Sequence, residues 1–132
     1  MEDYVSFEQA QRLKQLGFDW KVNKGYSHFP GEKIKSCNFQ QEDVNTIYSK
    51  WCFSAPSLAQ AQKWLRDVKG IALNITAHDG GFYQWEKIYL PKAPEYEGDI
   101  TPDIKQYATY EKALSAGIDR TLELLTDQTE KQ

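Results

Sequence analysis

The sequence predicts an α+β domain: a small, mainly antiparallel sheet of three to five strands with about three helices packed on one face. Three observations carry this expectation. Three segments, starting near residues 7, 58 and 110, repeat apolar residues at helical spacing behind a capping side chain. Two β-prone runs, IALNITA and FYQWEKIYL, flank a glycine-containing turn. Finally, 4 Trp and 8 Tyr supply core volume in a chain where Ile, Leu, Val and Phe make up only about a fifth of the residues.

The first helix is expected over 7–16. Ser6 is a good N-cap and Gln9 stands three residues later, the pattern of a capping box, with Val5 and Ala10 placed for a hydrophobic staple. Phe7, Ala10, Leu13 and Leu16 form its apolar face. Gly17 supplies a left-handed C′ residue and Phe18 the C″ contact. Trp20, Val22 and Tyr26 suggest a short strand. Residues 27–46 hold Pro30, Gly31 and many polar side chains, and read as a long loop or hairpin tip. Ile47, Tyr48, Trp51 and Phe53 suggest another short strand. The second helix starts behind Ser57, with Gln60 at the capping-box position. Leu58, Ala61, Leu65 and Val68, widened by Trp64, form its stripe, and Gly70 ends it. Strands are expected at about 71–77 and 82–90. Residues 91–107 are rich in Pro and acid and read as a loop, with a short strand near 104–107. The third helix follows Thr109, with Tyr110, Ala113, Leu114, Gly117, Ile118, Thr121, Leu122 and Leu125 on one side. Gly117 costs about 1 kcal/mol there relative to Ala, and on the apolar face it would admit a large ring or another backbone. The globular domain is set at 1–126, with 127–132 as a frayed tail.

The pairing register of the 71–90 hairpin decides what the aromatic strand does. Pairing Ala77 with Phe82 would put Tyr83, Trp85, Lys87 and Tyr89 beside Asn74 and Thr76, an aromatic row on a half-polar face. A three-residue loop, His78-Asp79-Gly80, would set Ile75 opposite Tyr83 and Leu73 opposite Trp85. One face is then apolar and the other polar, because a one-residue slip exchanges the faces. The second arrangement is favoured: it places Gly80 at the left-handed position of the loop and gives a sheet covered on one side. The rings are then core, and Lys87 is the misfit among them, its stem packed and its amine reaching water.

Charge and composition narrow the function classes. A net charge of −3 with pI near 5.4 argues against a partner recognised through its phosphates. No apolar run approaches the ~20 residues that span a bilayer. The N-terminus MEDYVSFEQA is acidic and lacks an apolar core, so no signal peptide is expected and the cytoplasm is the expected compartment. Cys37 and Cys52 are then expected as reduced thiols, one or both buried.

Candidate chemical motifs are few. His28, Cys37, Cys52 and His78 lack the close paired spacing of structural zinc sites, so no metal is expected. A thiol nucleophile would need a histidine brought to it by the fold. Glu95, Glu97 and Asp99 lack the glycine and distal glutamate of a calcium loop. Lys63, Arg66 and Lys69, with Lys50 or Lys87, form a basic line best read as a solvated face. No phosphate loop or hydrolase motif is present. No cofactor and no catalytic residue is expected.

Three blocks, VSFEQAQRLKQLGFD, SAPSLAQAQKWLRDVKGI and TYEKALSAGIDRTLELL, resemble a family of small uncharacterised bacterial and prophage-type proteins. They cover about a third of the chain. The resemblance implies an accessory or mobile-element context and no reaction. The expected function is a non-enzymatic cytoplasmic accessory module that binds a protein partner, with no membrane role; an exposed sheet edge would also allow a homodimer. The alternative is a single-stranded nucleic-acid or nucleotide binder, with Tyr83, Trp85 and Tyr89 stacking bases and Lys87 or Arg66 meeting phosphate.

Overall fold

A computed structural model describes residues 3–89 and 105–130. Among them are four helices and two antiparallel sheets, of three and two strands, an α+β fold. The chain divides into two compact units, Met1–Ser57 and Leu58–Gln132. The division falls inside residues 1–126, the span expected as one domain.

The first unit begins with α1 (Phe7–Gln15). The expected capping box is formed: Gln9 N donates to Ser6 Oγ (3.1 Å) and Ser6 N donates to Gln9 Oε1 (2.9 Å). The helix ends as the glycine predicts. Gly17 has φ +91°, Gly17 N donates to Lys14 O and Phe18 N donates to Leu13 O, a Schellman motif. Three strands follow: β1 (Val22–Ser27), β2 (Lys35–Glu42) and β3 (Cys52–Ser54), ordered β2-β1-β3. Here the structure departs from the loop expected over 27–46. Only the tip near 28–34 is loop, and KSCNFQQE is an eight-residue edge strand. The strand expected around Ile47–Phe53 is also corrected. A single helical turn, α2 (Val44–Ile47), ends at Ile47, residues 48–51 are irregular, and β3 starts only at Cys52.

Alternation along β1 sorts this sheet into two faces. Tyr26 pairs with Phe53, and Phe7 of α1 meets both rings edge-on at 5.8 and 5.3 Å. Tyr26 Oη donates to Val5 O at 2.7 Å, satisfying the hydroxyl beneath the helix. The opposite face carries Gly25, Ser27, Cys37, Phe39, Cys52 and Ser54. The ring of Phe39 lies over Gly25, where a Cβ would come within 2.6 Å of it and 2.8 Å of Phe53 O. Gly25 is therefore a packing requirement.

The second unit comprises α3 (Leu58–Lys69), β4 (Ile71–His78), β5 (Phe82–Tyr89) and α4 (Tyr110–Glu130). In α3, Leu58, Ala61, Trp64 and Leu65 are buried, but Val68, expected on the same stripe, is 50% exposed. Gly70, φ +73°, ends the helix. α4 buries Ala113, Leu114, Ile118, Thr121, Leu122 and Leu125 as its periodicity predicts. Lys112 N donates to Thr109 Oγ1 (3.1 Å), the expected cap. The helix continues to Glu130, through four residues that the sequence reading places in a frayed tail.

The hairpin has the predicted faces with a shifted register. His78 pairs with Phe82, Ile75 with Trp85 and Leu73 with Lys87. The loop is three residues, but it is Asp79-Gly80-Gly81; Gly81 takes the left-handed position (φ +81°) and its N–H donates to His78 O. Moving the loop along by one residue moves each partner by two, so odd positions still share a face. Asn74, Thr76, Gln84 and Glu86 occupy the other side, with Asn74 Nδ2 donating to Glu86 Oε1 (3.4 Å).

Candidate functional site

β5 brings Tyr83, Trp85 and Lys87 to one face. Trp85 is 3% exposed. Its ring lies against the backbone of α4, where a Cβ on Gly117 would stand 3.1 Å from Trp85 Cγ. The glycine that weakens α4 thus gives the indole its place, and a base has no open face of Trp85 to stack on. Tyr83 is half-buried and meets Tyr110 edge-on at 6.4 Å. Its backbone forms a two-way bridge with Tyr107 (2.8 and 2.9 Å), within the 104–107 segment where a short strand is expected. The backbone of Tyr89 pairs with Ile71; its side chain lies outside the described residues.

Lys87 is the unusual member. Its Nζ is buried and has no hydrogen-bond partner among the described residues, and Trp85 Nε1 is in the same condition. The expectation that this amine reaches water is therefore corrected. The amine lies 5.8 Å from the Trp85 ring centroid. Desolvation first, with the positive charge of Arg120 acting the same way, pushes its pKa down from 10.5 to about 8. Apolar periodicity does not single out Arg120. Its position one turn beyond Gly117 was the available signal, since residues three apart share a helix face.

Arg66 does not join this group. It sits on the exposed side of α3, with its Nε on Asp67 Oδ1 at 3.2 Å, both side chains largely solvated. Two others of the basic line are occupied locally: Lys69 Nζ lies over the Trp64 ring (5.5 Å) and Lys50 Nζ over Trp51 (4.8 Å).

The thiols are both free and half-buried, neither fully enclosed. Cys37 Sγ contacts Ser27 Oγ at 3.6 Å and Cys52 pairs across β1 with Ser27. His28 meets Phe7 edge-on (5.5 Å) and His78 stacks on Phe82 (4.7 Å). Among the described residues, no group of three His, Cys, Asp or Glu side chains is placed to hold a metal, and no helix is long and apolar enough to cross a membrane. Glu95, Glu97 and Asp99 lie outside the described residues. Lys14 of α1 donates to Cys52 O (2.7 Å) and Ser49 O (3.3 Å) and lies over the Phe53 ring; burial lowers its pKa, with Cys52 acting the other way.

Sequence reasoning also missed an apolar patch on the first unit. Ile47 is 65% exposed and Tyr48 41%. The Tyr48 ring sits 5.1 Å from that of Phe39, and its hydroxyl donates to Glu42. The patch borders β2, whose outer edge pairs with no other strand among the described residues. No known protein family, curated protein or solved structure matches the chain.

Proposed function

We infer that this chain is a non-enzymatic protein-interaction module. The observation that carries it is the pair of exposed side chains Ile47 and Tyr48, with the Tyr48 ring against Phe39 of β2, a strand whose outer edge is unpaired among the described residues. Isolated surface apolar residues need no explanation, but an aliphatic side chain next to paired aromatic rings has the composition of an interface centre. An edge strand adds a row of N–H and C=O groups that a partner strand can pair with. The net charge of −3 also favours a protein partner over a polyphosphate one. The resemblance of the three sequence blocks supports a cytoplasmic accessory role of phage or mobile-element origin.

The test is affinity capture from the native host. Tagged wild type is compared with Ile47→Asp/Tyr48→Ser and with Val68→Asp, which changes an exposed apolar residue of α3. A protein held by wild type and Val68→Asp, and released by the double variant, is the expected result. An identical captured set for all three proteins, or none with wild type, would overturn the assignment.

A further inference from the structure

We propose that Lys87 and Trp85 together form a binding site for a small monoanionic carboxylate on the inner face of β5. Both groups are donors, and both are buried without an acceptor among the described residues. A buried donor left unpaired costs free energy, more so when it is charged. The fold nevertheless encloses two of them two residues apart on one strand face. The indole ring offers the amine a cation–π contact, yet this leaves three ammonium hydrogens without an oxygen.

The close approach of the Gly117 backbone restricts the indole, and Leu73 stands opposite Lys87 on β4. Nζ lies 5.8 Å from the Trp85 ring centroid, so both donors belong to one neighbourhood. A carboxylate has two oxygens, one to accept from each donor. The charge also suits a monoanion. One ammonium faces it directly, and the second cation, Arg120, is partly neutralised by Glu123 at 3.2 Å. A phosphate dianion would need more positive charge in a setting this apolar. A bound carboxylate would also favour the charged amine, reversing the effect of burial.

The probe is a titration of 15N-labelled protein with sodium formate and sodium acetate, against sodium chloride at matched ionic strength. The Trp85 indole N–H resonance is assigned by its loss in Trp85→Phe. Binding should displace that resonance saturably, with formate or acetate and not with chloride. Lys87→Met should weaken the response at least tenfold while the indole signals of Trp20, Trp51 and Trp64 stay in place. A wild-type resonance that does not saturate with either carboxylate overturns the site without reference to any variant. Equal binding by a folded Lys87→Met removes the role of the amine. Tighter binding of phosphate than of acetate overturns the carboxylate class.

Discussion

Replacing Lys87 by Met should stabilise the protein at neutral pH and lose most of that advantage in alkali. Met keeps an unbranched apolar stem against Trp85 and removes the buried amine. A fall in pKa from 10.5 to about 8 corresponds to at most about 3.4 kcal/mol against the charged form. Lys87 is only half-buried as a residue, so solvent screening reduces this to about 1–2 kcal/mol. The lost cation–π contact returns about 0.5–1 kcal/mol, leaving a net gain of about 1 kcal/mol. At pH 7 the lysine is protonated folded and unfolded, so the penalty is present in full. Between pH 8 and 10.5 the unfolded chain binds more protons than the folded one, and wild-type stability from this group rises with pH. The methionine protein has no such contribution. Urea denaturation of both proteins at pH 7 and pH 9.5 measures the difference, and groups common to both cancel. A gap between the two proteins that is the same at both pH values would refute the reasoning. So would a methionine variant less stable than wild type at pH 7.

Three further substitutions test the packing. Gly117→Ala gains about 1 kcal/mol of helix propensity but drives a methyl into the Trp85 ring, an overpacking cost of about 1–3 kcal/mol. A net loss is expected in thermal unfolding, and it should disappear when Trp85→Leu is added; a loss unchanged in the double variant would place the strain elsewhere. Gly25→Ala should cost more, near the upper end of about 1–3 kcal/mol, because one of the two clashes is with the Phe53 carbonyl; Phe39→Ala should then restore only part of it in urea melts. Ser6→Ala opens the capping box and should cost about 1 kcal/mol, read from the denaturation midpoint, whereas Ser6→Asp should cost much less.

The three long helices were legible because each repeats an apolar stripe between a capping side chain and, for two of them, a terminal glycine. The capping box at Ser6 and the packing of Gly117 against a large ring both follow from local chemistry. β2 was not legible. Most of KSCNFQQE is solvent-exposed or half-exposed as an edge strand, so no alternation of apolar and polar residues marks it. α2 is one turn long, too short for any periodicity. In the hairpin, apolar parity determines which residues share a face, but the exact partner depends on which of two adjacent glycines turns left-handed, and Gly80 and Gly81 look alike in sequence. Val68 shows the limit of a helical stripe: its spacing matches, but it lies at the edge of the surface that α3 covers. The buried state of the Lys87 amine depends on what lies above it, and neighbours in the strand do not reveal that.

The two cores are unequal. Among the described residues, seven buried apolar side chains belong to the first unit and twelve to the second. A compact body of fewer than sixty residues holds itself together with little to spare. Backbone amides around β1 and β3 should therefore exchange with deuterium through smaller openings, and sooner, than those along α4 and β4. The part of the chain that carries the exposed patch is then also the part most ready to rearrange when something docks there.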